Sequence, residues 1–174
     1  MKVILVMVSS LDGKITRGDD PDIYTWTSKE DGTYFRKLLD EYTLIVMGRK
    51  TFEAANPKPQ RGKLRIVVTS NVNAYKDKEV LSQLEFTNEP VKKLVKRLAD
   101  DGYETLLLVG GGGLNTSFFK DNLVDELWLT LEPKILGKGK MIVEPEPLNV
   151  QMHLASFEKL NDNGTLLLKY KKSQ

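Results

Sequence analysis

The chain has no cysteine and one histidine in 174 residues. A disulfide, a thiol nucleophile, a zinc-thiolate site and an iron–sulfur cluster are therefore excluded. A Ser-His-Asp triad would have to use His153. Excess charge is also lacking: 26 Lys and Arg stand against 24 Asp and Glu, a balance of +2. That is too even to argue for nucleic acid or a membrane surface as a partner. Long apolar runs are missing too. The stretch 1–8 is broken by Lys2 and runs into Ser9-Ser10-Leu11-Asp12-Gly13, too short for a bilayer and without the form of a signal peptide. The expectation is a cytoplasmic protein with no metal site. What remains for chemistry is carboxylates, hydroxyls, Lys, Arg, backbone amides or a bound cofactor.

With 40% hydrophobic and 29% charged residues, the chain reads as one globular domain over 1–174. Apolar stretches at 1–8, 43–47, 64–69 and 105–109 read as buried strands. Ser28-Lys29-Glu30-Asp31 reads as a capping box, with Ser28 as N-cap and Asp31 at the third helical position. It opens a helix near 29–41. Further helices are predicted at 49–55, 90–100 and from the glycines to about 120. Residues 70–73 read as a polar loop and 85–87 as a short strand. In the last third, 124–131 is a strand and a long loop follows. Strands at 151–160 and 165–170 are joined by Asn161-Asp162-Asn163-Gly164, a hairpin signal. Strands alternating with helices, then a hairpin, predict an α/β domain whose mostly parallel sheet has an antiparallel edge.

Val109 leads into four glycines, Gly110, Gly111, Gly112 and Gly113, then Leu114 and Asn115. Glycines between a buried strand and a helix let the backbone approach a ligand, and the helix start offers free amides to an anion. A tight turn alone needs one glycine. The run is neither a Walker loop nor a Rossmann fingerprint, since Asn115 or Thr116 stands where the third glycine of the latter belongs. It points to a phosphate-bearing ligand and no further. Gly48-Arg49-Lys50-Thr51 also follows a strand and opens a helix. Two cations and a hydroxyl suit a phosphate there, although a solvated helix start would look the same. Thr69 and Ser70 end the next strand with small donors. All three groups fall beyond the carboxyl ends of strands, where open α/β sheets gather ligands.

Four segments carry a family resemblance: Ser10-Leu11-Asp12-Gly13-Lys14-Ile15; Gly48-Arg49-Lys50-Thr51; Val109 through Asn115; and Leu123-Val124-Asp125-Glu126-Leu127 with Pro133, Leu136-Gly137 and Gly139. On these the chain resembles the dihydrofolate reductase-like superfamily, and within it the reductase domain of riboflavin biosynthesis and its short stand-alone relatives. The resemblance implies a three-layer α/β/α sandwich with a central mixed, mostly parallel sheet and a C-terminal antiparallel hairpin. It implies NADPH as hydride donor, a small pterin- or pyrimidine-like substrate and a homodimer. The cofactor would lie on Gly48, Arg49, Lys50, Thr51, Thr69, Ser70 and the backbone of Gly110, Gly111, Gly112, Gly113 and Leu114. Two departures leave the substrate unassigned. Val109 stands where riboflavin-pathway reductases usually carry Glu, and Ala55-Asn56-Pro57 where they often carry Asp-Asn-Pro.

Asp31 is the candidate catalytic acid. The resemblance assigns it, because Trp26 and Phe35 flank it as a tryptophan and a phenylalanine flank the active-site acid of dihydrofolate reductases. A carboxyl in a partly apolar pocket has a raised pKa and supports protonation of a substrate nitrogen. The alternative is that Asp31 is only the acid of the capping box. Trp26, as a cover for a planar ring, and Lys14, as a partner for an anionic group, are candidate substrate contacts. Trp128 reads as a packing or dimer-contact residue, and Gly137-Lys138-Gly139-Lys140 as a flexible connector. The rival function is a nucleotide-binding module of the same fold without turnover.

Overall fold

The apolar amino-terminal stretch forms β1 (Lys2–Ser10), which is buried along nearly its whole length. Parallel neighbours on both sides account for that: β5 (Thr105–Leu108) and β6 (Glu126–Glu132). The computed structural model describes residues 1–173. With β2 (Leu44–Gly48), β3 (Leu64–Val68), β4 (Leu84–Thr87), β7 (Met152–Lys159) and β8 (Leu166–Lys172), it contains one eight-stranded sheet in the order β4-β3-β2-β5-β1-β6-β8-β7. Pairing is parallel from β4 to β6 and antiparallel from β6 through β8 to β7.

Alternate residues of β1 enter opposite cores, as the two-residue period of a strand requires. Ile4 and Val6 meet Leu38 of α1 (Lys29–Glu41) and Phe52 of α2 (Arg49–Ala55). Val3 and Leu5 meet Val91, Leu94 and Leu98 of α3 (Val91–Asp100) and Phe118 of α4 (Gly112–Lys120). The result is the expected three-layer sandwich, mostly parallel with an antiparallel hairpin at one edge. The carboxyl ends of the parallel strands lie on one side, and α1, α2 and α4 start there.

The predicted polar loop after β3 leads instead into a 3-10 helix, Val72–Lys78. Its Tyr75 stacks on Phe86, with ring centroids 4.9 Å apart, and meets Phe52 edge-on. These long-range aromatic contacts order a segment whose local composition is that of a turn.

The far end of α1 is closed by a residue from another element. Lys63 is 8% exposed. Its Nζ donates to the carbonyls of Leu39, Asp40 and Tyr42 at 2.7, 2.7 and 3.2 Å. A cation on the last carbonyls of a helix satisfies them and opposes the negative end of its dipole. Lys63→Met is expected to lower stability by about 2 kcal/mol, seen as an earlier thermal midpoint. An unchanged midpoint would show that this cap carries nothing.

Candidate active site

Ser28 caps α1, and its Oγ accepts from Asp31 N at 3.2 Å. In a full capping box the Asp31 side chain would return a bond to Ser28 N. It does not. Ser28 N donates to Glu132 Oε1 at 2.7 Å, so only half of the predicted box exists and the Asp31 carboxyl is free of local duty. That carboxyl faces the sheet, where the Thr130 hydroxyl of β6 lies close enough to favour its charged form. Asp31 is 5% exposed. Burial, the largest influence, pushes its pKa up to about 6; the Thr130 hydroxyl pulls the other way and the Glu132 charge adds to the rise. An acid poised there is able to give up a proton near neutral pH.

Sequence reasoning missed Thr130 and Glu132. A signal was present: Glu126, Trp128, Thr130 and Glu132 share one face of a strand otherwise lined by Leu127, Leu129 and Leu131. Trp128 is tied up elsewhere. Its Nε1 donates to Glu126 at 2.8 Å and its ring lies 4.1 Å below the Lys169 ammonium, a packing role.

Trp26 is 2% exposed, so its ring is not an open platform over which a planar substrate can slide. What it offers is a buried indole N–H. Among the described residues that N–H has no hydrogen-bond partner, and neither do Thr27 Oγ1 and Tyr34 OH. Unpaired buried polar atoms are costly and mark a place for a water or a ligand. Lys14 is half-buried and paired through its backbone with Met141. Its ammonium has no ion-pair partner among the described residues.

Residues 133–147 form a strap rather than the expected flexible connector. Asp12 accepts from Leu136 N at 3.0 Å and Gly137 N at 2.7 Å. The Ser10 hydroxyl, first, and these amides hold its carboxyl down to about 2. Lys140 N donates to Thr16 Oγ1 at 2.9 Å, and Gly18 N to the Lys138 carbonyl at 2.9 Å. Any Cβ on Gly139 would collide with the Thr16 carbonyl. The strap then reaches α4, where Asn115 Nδ2 donates to the Ile142 carbonyl at 2.7 Å and Glu144 N to Thr116 Oγ1 at 2.8 Å. Because these bonds are made to the strap's own backbone, they leave no trace in its side-chain pattern.

The starts of α2 and α4 lie side by side, and neither has a side-chain cap. Gly48 N donates to the Gly110 carbonyl at 2.7 Å. Of the four glycines, Gly110 and Gly112 are required by the backbone or the space, and Gly111 and Gly113 are not. Gly110 has φ +91° and a Cβ there would press on Met7 Sδ at 3.2 Å. A Cβ on Gly111 would stand 3.5 Å from Thr51 Oγ1, and one on Gly112 would strike the Met141 carbonyl at 2.6 Å. Gly113 is exposed, and a Cβ there would meet nothing nearer than Glu144 Oε1 at 3.9 Å. Two helix starts with unspent amides, joined by the Gly48–Gly110 bond and with the Thr51 hydroxyl beside them, match the donor set a diphosphate needs. The residues present thus fit a dinucleotide cofactor. Of the other predicted contacts, Lys50 and Ser70 are exposed. Thr69 is buried and accepts from Asn71 N at 3.2 Å. Arg49 is held by Glu53 Oε2 at 2.7 Å, an exposed pair weak enough to exchange for a phosphate.

Among the described residues there is no cluster of three or more His, Cys, Asp or Glu suited to a metal ion, and no helix long and apolar enough to cross a membrane.

Comparison with known proteins follows the same lines. The family model described as RibD C-terminal domain matches residues 1–166. An uncharacterized protein, YwjB, of Bacillus subtilis (strain 168) is 28% identical over 145 residues, 79% of this chain and 80% of the relative. Dihydrofolate reductase of the same organism is 30% identical over 129 residues, 73% of this chain and 68% of that enzyme. The crystal structure of a putative riboflavin biosynthesis protein from Shewanella sp. PV-4 superposes with a TM-score of 0.81 at 20% identity, covering 100% of both chains. At that identity the likeness is one of fold.

Proposed function

This chain belongs to the RibD C-terminal domain family, and from that premise and the site's geometry we propose that it is an NADPH-dependent reductase of a small heterocycle, pterin- or pyrimidine-like. The observation that carries the reading is Asp31. It is a buried acid relieved of its capping bond by Glu132, with a pKa near 6, and the segment leading into its helix carries an unpaired buried indole N–H, that of Trp26. A bound nicotinamide supplies the hydride. The chain's own residues do the rest. Gly111, Gly112, Gly113 and Leu114 amides with Thr51 would hold the diphosphate, and Arg49, Lys50 and Ser70 would meet the 2′-phosphate. Asp31, directly or through water, delivers a proton to a substrate nitrogen. The experiment is loss of NADPH absorbance on mixing the protein with pterins, pyrimidines and flavins in turn. Turnover with one class identifies the substrate. Tight NADPH binding with no turnover on any of them would favour a binding module of the same fold.

The same reading includes a homodimer, and one face of the sheet supports it. Leu154 pairs with Tyr170 and Phe157 with Leu168 across β7 and β8. Residues three apart normally point to opposite faces. The register shift between Leu154 and Ser156 brings both onto one face. Leu154 is 48% exposed and Phe157 72%, with Leu168 and Tyr170 half-buried between them. A second copy turned about a two-fold axis would cover this patch with its own, as a self-complementary interface requires. Phe157→Asp is expected to convert a dimer into a monomer by light scattering. A monomeric wild-type protein at micromolar concentration would contradict the assignment.

A further inference from the structure

Two acids are buried side by side, and the proposed reaction uses one of them. Glu132 is 2% exposed, at the end of β6. Its Oε1 accepts from Ser28 N at 2.7 Å and its Oε2 from Thr165 Oγ1 at 2.8 Å. Asn161, in the turn between β7 and β8, donates to Thr165 Oγ1 at 3.0 Å and to Glu30 Oε2 at 3.1 Å. One carboxylate thus ties together the cap of α1, the end of β6 and the hairpin turn. Thr130 and Glu132 are alternate residues on the face of β6 that Asp31 meets. A buried carboxylate costs free energy that an apolar side chain of the same size would not. Packing alone therefore does not account for it.

We propose that Glu132 is a positioning residue of this site: it holds Ser28, and with it Asp31, against β6, and it keeps a second negative charge beside the Asp31 carboxyl. The inference rests on the reading of Asp31 as the acid. With that charge in place, ionising Asp31 means setting two like charges together in a dry pocket, so the proton stays on to higher pH. Other charged or titratable groups around α1 include Glu30 and Tyr34 near its start, Lys29, Arg36, Lys37, Asp40 and Glu41 along it, Lys63 at its far end, Lys134, whose Nζ donates to the Trp26 carbonyl at 2.6 Å, and Glu158 and Lys169, which bear on Tyr34 from β7 and β8. Of the charges, Glu132 is the one that bears on the Asp31 proton.

Carbon-13 NMR of protein labelled at its aspartate carboxyls follows the titration of Asp31 directly, with Asp31→Asn to assign the signal. It needs neither cofactor nor substrate, so a failure of NADPH binding would sink the proposed function and leave this test standing. Glu132→Gln keeps the size and the acceptor toward Ser28 but removes the charge. Asp31 is expected to titrate near 6 in the wild type and at least about half a unit lower in Glu132→Gln. Thr165→Val keeps the charge and removes one of its hydrogen bonds; Asp31 there is expected to stay close to the wild-type value. Equal titration in wild type and Glu132→Gln would overturn the proposal. So would a fall in Thr165→Val as large as in Glu132→Gln, because that is general loosening and not charge. If Glu132→Gln does not fold, Glu132→Asp, which draws the charge back by one methylene, is expected to give a smaller fall of the same sign, and no fall would overturn the proposal.

Discussion

Asp31→Asn is expected to make the protein more stable at pH 8 and nearly inactive. The carboxyl keeps its proton to about pH 6 in the folded chain, against an ordinary value of 3.8. Between those values the folded state binds more protons than the unfolded one. Stability therefore falls as pH rises through that window and stays low above it. About two units amount to roughly 3 kcal/mol. The asparagine amide carries no charge and escapes this cost. The gain should be clear in denaturant midpoints at pH 8 and should vanish near pH 4. Turnover should fall on the order of 100-fold to 10,000-fold, with NADPH affinity unchanged. In the wild type, kcat/KM should decline as pH rises through about 6, and the variant should lose that dependence. A variant that is no more stable at pH 8 would mean that Asp31 is not a strained acid, and one with full turnover would mean that it is not the proton donor.

Gly113→Asp is expected to weaken cofactor binding on the order of 100-fold and leave the fold intact. Gly113 is exposed and a Cβ there has room. An acidic residue in the first turn of a helix favours the helix by about 0.5 kcal/mol. The same charge would face the diphosphate. Two unit charges about 5 Å apart at an effective dielectric near 20 repel by about 3 kcal/mol, so the Kd for NADPH should rise on the order of 100-fold while the melting temperature stays close to the wild-type value, the gain at the helix start being offset by the nearby Glu144 carboxyl. Gly112→Ala makes the contrast. Its Cβ would strike the Met141 carbonyl at 2.6 Å, so it should loosen the strap and lower stability. If Gly113→Asp binds NADPH as the wild type does, the start of α4 is not where the diphosphate sits.

The elements that position the site were legible because their signals are local. The apolar stretches became β1, β2, β3 and β5, and Ser28 opened α1 where predicted. The glycine block was legible as a close approach between a strand and a helix. Which of its glycines are required was not, because Met7, Thr51 and Met141 reach it from distant parts of the chain. The two readings of Asp31 could not be parted by nearby residues. What parts them is Glu132, 104 residues away from Ser28, which takes the bond that a capping box would have used. The strap stayed hidden for a similar reason: its glycines and prolines look like those of a loose loop, and its order comes from backbone bonds to residues 11–18. Tyr75 likewise orders a turn-like segment only once Phe86 and Phe52 are beside it.

The central claim is that the joined starts of α2 and α4 hold a phosphorylated nicotinamide dinucleotide. Calorimetric titration of the wild-type protein with NADPH and, separately, with NADH tests it most directly. Micromolar binding of NADPH and much weaker binding of NADH are expected, since Arg49 and Lys50 are the cations proposed to meet the 2′-phosphate. Absence of binding by either at millimolar concentration would contradict the claim.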